Sequence, residues 1–260
     1  MYDLLHALLS DKTGGDIFVL YGFWHFFYIF LTVATVAVVL LLLRGKGEQT
    51  KGKVTRIFLN LAFGLYIADF FLMPLSYGEI NIEKLPFHIC TAMCVMCFLS
   101  CHAGFLRKLR LSFVLLGFIG NAAYLFCPAG VMWYGIDPFS YRVVQTMLFH
   151  SLMCVYGFLT LVNEYKIFDL KKCHWDLAVV GGMVLWALLG NYAYNADVEG
   201  YSHFFNWFFV VRDPFNMFPE AISPILMPIL NFILFSAAEF LIHWILWFAR
   251  KRNCVRAVKE

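Results

Sequence analysis

Cys90, His88 and His150 could supply a nucleophile and a base, and Asp69 could orient or stabilise charge beside them. A buried thiol near an imidazole can ionise to a thiolate that attacks carbonyl carbon, which suits acyl transfer through a thioester. His88 and Cys90 are two apart, so an ideal helix would point them about 200° from each other. Cys90 therefore needs a base from another segment, and His150 is the candidate. Each residue also has a structural reading. A lone histidine in an apolar helix often only bonds a neighbouring helix. An unpaired carboxylate such as Asp69 is harder to place without a partner. Glu239 is a further acidic group in an apolar stretch, while His102 and His243 read as interfacial or structural.

Cys90, Cys94, Cys97 and Cys101 follow the spacing i, i+4, i+7, i+11, which marks one helix face. The first three also have the spacing of an iron–sulfur loop. Cluster ligands need a loop that wraps the cluster, and this segment is an apolar helix. The last three read instead as small residues that let helices approach. Cys127, Cys154, Cys173 and Cys254 form no disulfide framework, and Cys173 and Cys254 face the reducing side. No spacing reads as a metal or cofactor site.

The elements that must position these residues are membrane spans. Of the 260 residues, 62% are hydrophobic and 14% charged. A soluble domain carries roughly 25% charged residues. Seven segments have the roughly 20 apolar residues that a spanning helix needs: 17–43, 54–76, 86–105, 109–127, 141–162, 175–194 and 221–249. The runs are continuous, so they exclude a β-barrel, whose strands alternate. The fold class is all-α, a single polytopic membrane bundle over 1–260 with about seven transmembrane helices. At about 1.5 Å per residue, Asp69 lies about 10 Å below the outer end of its span and His150 about 14 Å down the fifth. His88 and Cys90 open the third span, Asn191 lies near the outer end of the sixth, and His25 in the outer part of the first. These could converge on one polar pocket, with Glu239 deeper. Pro224 and Pro228 should kink the start of the last span.

Orientation follows from the basic residues. Arg44, Lys46, Lys51, Lys53 and Arg56 share a side with Arg107, Lys108 and Arg110, with Lys166, Lys171 and Lys172, and with Arg250, Lys251, Arg252, Arg256 and Lys259. The opposite side has only Lys12, Lys84, Arg142 and Arg212. The positive-inside rule puts the N-terminus outside and the C-terminus in the cytoplasm. Asp3, Asp11 and Asp16 against Lys12 make the first residues a poor signal-peptide n-region. The net charge of +3 sits in short runs between apolar segments, which suits anionic headgroups and not nucleic acid. In the longest outer loop, His203, Phe204, Phe205, Trp207, Phe208 and Phe209 could lie in the interface, as an amphipathic stretch or an aromatic belt. The last span has no lysine for a retinal Schiff base and no Asn-Pro-x-x-Tyr signature.

The run Leu85-Pro86-Phe87-His88-Ile89-Cys90 resembles the Leu-Pro-x-His-x-Cys segment of YwaF-like bacterial membrane proteins. His150, and Gly190-Asn191-Tyr192 at the end of the sixth span, agree in order. That family is similar to a vertebrate transmembrane acyltransferase that builds polyunsaturated ether phospholipids, and more remotely to androgen-induced lipid hydrolases that use Thr and His. The resemblance implies a multi-pass protein of the cell membrane that acts on membrane phospholipids. It gives His88 and His150 to the catalytic site with Asn191 nearby. Cys90 and Asp69 join them as catalytic candidates, and Asn191, Tyr192 and His25 are the candidate substrate-binding residues. The chain departs from the vertebrate pattern at one point. The nucleophilic Cys there directly precedes the His matching His88, whereas this chain has Phe87. Cys90, close to one turn on, is the expected substitute. The competing class is a transporter or a lipid- or solute-binding protein, with Asp69, His88, His150 and Glu239 as a proton or ion path. Against it, no internal repeat is visible.

Overall fold

The computed structural model describes residues 9–10, 16–77, 82–128, 131, 135–164, 173–195 and 205–257. Over these residues the protein is all-helical. Seven long helices follow in chain order: α1 (Phe23–Leu43), α2 (Glu48–Tyr77), α3 (Ile89–His102), α4 (Arg110–Phe126), α5 (Tyr141–Glu164), α6 (Cys173–Asn195) and α7 (Ser223–Ala257). Six of them are long and apolar enough to cross a membrane. They agree with the expected spans and with a polytopic helical bundle.

The exception is α3. Its 14 residues reach about 21 Å, short of a hydrocarbon core of about 30 Å. The expected third span, 86–105, counted Pro86 and Phe87 as helix, but both lie in a turn before it. Proline disfavours the helical region for the residue before it and has no N–H to donate. The first span is shortened for a different reason. Its apolar start, Ile17–Val19, is irregular and leads into a turn at Leu20–Tyr21, and Phe18 N–H donates to the Ile136 carbonyl at 2.8 Å instead of to a helical partner. Pro224 is the second residue of α7. It sits in the first turn, where an N–H has no helical partner anyway, so only Pro228 falls inside the helix.

The chain divides into two compact units. The first comprises residues 1–82 and 120–163, and so α1, α2, the end of α4 and α5. α5 is its buried element, with 72% of its spanning stretch buried, against 11% for α1. α5 is therefore packed along most of its faces, while α1 turns Phe23, Phe30, Val33 and Leu41 outward as a lipid-facing helix does. Phe18, Leu125, Val143 and Met147 form the core of this unit. Polar staples lock it: Tyr28 Oη–H donates to the Pro138 carbonyl at 2.8 Å, and Thr32 and Ser151 share a hydrogen bond of 2.7 Å.

The second unit comprises residues 83–119 and 164–260: α3, the start of α4, α6, α7 and the segment 205–222. α6 packs along α7. Near the expected cytoplasmic side, Arg110 pairs with Glu164.

Candidate functional site

Each unit presents its own set of candidate residues. In the first, His150 is buried on α5 and its Nδ1 lies 2.8 Å from Oδ1 of Asn121 on α4. An amide oxygen cannot donate, so Nδ1 carries the hydrogen and Nε2 is the basic nitrogen of the neutral ring. The Tyr124 ring stacks on the imidazole with centroids 3.7 Å apart and planes 11° from parallel, and Phe149 meets it edge-on. Asn121 and Tyr124 lie three apart on α4 and thus on one face. Between them they fix the ring's tilt, rotation and tautomer.

Asp69 is fully buried on α2 and accepts a hydrogen bond of 3.1 Å from the Tyr141 hydroxyl at the start of α5. The carboxylate therefore has the partner its depth demands. His25 is committed to the backbone. Its Nδ1 accepts from Tyr21 N–H at 2.9 Å, so Nε2 bears the proton and donates to the Leu125 carbonyl at 2.7 Å. A ring with both nitrogens engaged is a staple between α1 and α4, with no nitrogen left for a substrate.

In the second unit the sequence motif surrounds a buried aromatic strap. Phe205, Trp207 and Phe208 are packed inside the protein and do not form an exposed aromatic belt. Trp207 and Phe208 are almost wholly buried. Phe205 and Trp207 stack with centroids 4.6 Å apart, and Phe87 packs against Trp207 at 5.0 Å. His203 and Phe204 lie outside the described residues.

Side chains hold the strap's backbone. Asn191 accepts from Trp207 N–H and donates to the Trp207 carbonyl, both at 2.9 Å. Asn195 holds Phe205 in the same two-bond manner, at 2.7 and 2.9 Å. Asn231 on α7 donates to the carbonyls of Phe208 and Phe209 at 3.2 and 3.1 Å. His88 Nδ1 accepts from Phe208 N–H at 3.3 Å, which leaves the His88 proton on Nε2. Phe208 and Phe209 have φ of 56° and 51°. This left-handed backbone costs roughly 1–3 kcal/mol per non-glycine residue and persists only where the surroundings enforce it. The four polar side chains are that enforcement.

His88 is not on the helix it was expected to open. It caps α3 with extended backbone (φ −79°, ψ 145°), so the helical angle between His88 and Cys90 does not apply. Cys90 is buried in the first turn of α3, where backbone N–H groups lack helical partners. Phe87 is packing: its ring lies against Gly190, where a Cβ would come no further than 2.7 Å from it, and Trp186 stacks on it at 4.9 Å. Asn191 acts through the strap, and Tyr192 is exposed.

The structure thus brings His88 and Asn191 onto adjacent strap residues. It sets His150 with Asn121 and Asp69 with Tyr141, and it places Cys90 in the other unit from His150. The sequence reading missed Asn121, Asn195 and Asn231. Their signal was an amide within an apolar run, as in Phe118-Ile119-Gly120-Asn121-Ala122.

The profile of the TMEM164 family matches residues 20–248. The chain belongs to the TMEM164 family. The match opens just before α1 and runs into α7, so it takes in every candidate site residue and supports a multi-pass membrane protein. No curated protein and no solved structure matches the chain.

Beyond the strap, Asp213 closes a tight loop. Its carboxylate accepts from the backbone N–H groups of Phe215 at 2.8 Å and Phe218 at 2.9 Å, and also from Met217. Burial pushes this carboxyl up, but the three donors outweigh that and hold it below its ordinary 3.8. A depressed carboxyl stabilises its fold above the ordinary carboxylate range and loses that contribution as pH falls through the lowered value. Protection of the 213–218 amides, measured against their intrinsic exchange rate at each pH, is expected to hold from neutral pH to below pH ~4 and then fall. In Asp213→Asn protection should be lower throughout and lack that acid step. An unchanged pH profile in the variant would refute this role.

Proposed function

We propose that this TMEM164-family chain is a membrane-embedded enzyme that transfers or hydrolyses the acyl group of a lipid, with His150 as general base. The supporting observation is the His150–Asn121 pair under the Tyr124 ring. A base needs a defined tautomer and a fixed direction, and a third group bonded to its other nitrogen supplies both. An imidazole set this way inside an apolar span is suited to a substrate that is itself in the membrane. The resemblance of Leu85–Cys90 to YwaF-like proteins, a family similar to a lipid acyltransferase, supports a phospholipid substrate and a place in the cell membrane.

The nucleophile expected from the sequence is Cys90. Its sulfur would attack the ester carbonyl and give up its proton to a base. The collapsing tetrahedral adduct would release the lipid alkoxide, which takes that proton, and leave a thioester. An acceptor hydroxyl or water, deprotonated in turn, would attack the thioester and restore the thiol. The N–H groups in the first turn of α3, which have no partner within the helix, are suited to the oxyanion. Phe87 cannot serve as a nucleophile. The alternative within the same reading is direct attack on the ester by a hydroxyl that His150 activates.

Labelling of the full chain in lipid nanodiscs tests this. A lipid-like fluorophosphonate and a thiol-reactive acyl probe are compared on wild type, Cys90→Ala and His150→Ala. Label lost in both variants, with helicity intact, supports the thioester route. Turnover of a labelled phospholipid that survives Cys90→Ala but not His150→Ala supports direct attack. Neither label nor turnover dependent on His150 overturns the reading and directs attention to proton-coupled uptake, tested with Asp69→Asn.

A further inference from the structure

At the opposite end of the second unit from the strap, α6 and α7 bring together four groups with no part in the chemistry above. Cys173 and Asp176 are three apart at the start of α6, and Glu239 and His243 four apart on α7. Each spacing places a pair on one helix face. His243 Nε2 lies 2.7 Å from Asp176 Oδ2, and both residues are buried. Among the described residues, the Cys173 sulfur, an Asp176 oxygen and a His243 nitrogen all lie within 4.8 Å of one another.

Glu239 supplies an independent observation. It is 1% exposed, and neither carboxyl oxygen has a hydrogen-bond partner among the described residues. Burying polar atoms without partners is costly, and buried carboxylates are ordinarily paired or coordinate a metal. Here the group lies one turn from His243, towards the membrane interior.

We propose that Cys173, Asp176 and His243, with Glu239 as the fourth ligand or as acceptor for a metal-bound water, form a site for a divalent metal ion of the zinc class. A thiolate, an imidazole and a carboxylate are the donor mixture of borderline-soft ions, and they disfavour magnesium and calcium, which take all-oxygen sets. A tetrahedral zinc ion with bonds of about 2.0–2.3 Å holds its donors about 3.5 Å apart. The triad meets that spacing if Asp176 and His243 separate by about 1 Å, with the cation replacing the proton they share, and the Cys173 sulfur closes by up to about 1.3 Å from the 4.8 Å limit. The Cys173 thiolate and Asp176 carboxylate together neutralise the ion's two charges. Glu239 accepting from a metal-bound water as a neutral acid keeps that balance, whereas Glu239 ligating as a carboxylate leaves one negative charge. The expected topology puts it on the cytoplasmic side, where Cys173 stays reduced. Its two helix pairs are far apart in the chain, so no spacing reads as a metal site. The inference is independent of the acyl-transfer reading.

Cobalt(II) is the probe. The tag-free full chain in nanodiscs, stripped with chelator, is titrated with Co²⁺ and then back-titrated with Zn²⁺. One ion per chain is expected, with a thiolate-to-cobalt charge-transfer band and the visible bands of a tetrahedral ion, both removed by one equivalent of Zn²⁺. Cys173→Ser, at a half-exposed position that should not disturb folding, is expected to lose the charge-transfer band and retain weaker visible bands. Glu239→Gln should weaken Zn²⁺ binding about 10–100-fold, the usual effect of removing a supporting group. Absence of a charge-transfer band in wild type, its persistence in Cys173→Ser, or Zn²⁺ affinity unchanged in Glu239→Gln and His243→Gln would each overturn the proposal.

Discussion

His150→Gln is expected to slow turnover of a phospholipid ester about 10²–10⁴-fold, the usual contribution of a positioned general base. Glutamine can still bond the Asn121 amide and nearly fills the space under Tyr124, so the unfolding midpoint should move little. Asn121 acts through His150 and is a positioning residue. Asn121→Leu removes the acceptor that fixes the tautomer. It should lower kcat by roughly 10²-fold, on the scale of a reacting group displaced by about 1 Å, with KM nearly unchanged, because the loss falls on the transition state and not on substrate binding. Asn121→Asp keeps an acceptor oxygen at the same place and should recover most of kcat. A merely structural Asn121 would show parallel losses in stability and activity and no rescue by aspartate. Equal kcat in wild type and His150→Gln would end the role of His150 as a base.

The legible part of the fold and the illegible part differ in a physical way. Hydropathy reports that a residue avoids water, and in α1, α2 and α4–α7 that coincides with helix. It fails where apolar residues are buried by something else. Pro86 and Phe87 read as the start of a span, yet Phe87 is apolar because it packs on Gly190 and Trp207. Ile17–Tyr21 read as helix, yet Phe18 is buried by the unit's core while its backbone turns. The strap was the largest error of this kind. Phe205, Trp207 and Phe208 look like a belt at the interface, and their burial depends on amides supplied by α6 and α7.

The candidate site was legible as residue types and not as pairs. Asp69, His88, His150 and Asn191 were visible because polar groups in apolar runs need a reason. Their partners were not. Asp69 finds Tyr141 72 positions away, and His150 finds Asn121 29 positions away. Both separations are far beyond the i, i+3 and i, i+4 reach within one helix, so only tertiary packing sets them. His25 shows the reverse case. A histidine in a span invited a substrate role, and two backbone bonds account for it.

The strap should dominate the stability of the second unit, and two adjacent residues test it in opposite ways. Asn191→Leu keeps the side-chain volume but strands the N–H and C=O of buried Trp207. At about 1–3 kcal/mol for each buried group left unpaired, the expected loss is about 2–6 kcal/mol. Phe208 and Phe209 would then be released from left-handed backbone, so protease cleavage within 205–212 should rise with the fall in midpoint. Gly190→Ala acts by crowding. The new Cβ would meet the Phe87 ring at no more than 2.7 Å, and Trp186 and Trp207 pack against that ring, so it has little room to retreat. Overpacking of this kind costs about 1–3 kcal/mol. Phe87→Leu added to Gly190→Ala should restore part of that loss, giving a coupling of roughly 0.5–3 kcal/mol. The same change added to Asn191→Leu should only deepen the loss, because no extra room returns a hydrogen bond. Tryptophan fluorescence during thermal unfolding reads these four variants and the Phe87→Leu single that closes each cycle. If Phe87→Leu fails to relieve Gly190→Ala, the ring is not what Gly190 accommodates. If Asn191→Leu unfolds with the wild-type midpoint, the amide clips do not hold the strap and its strained backbone has another cause.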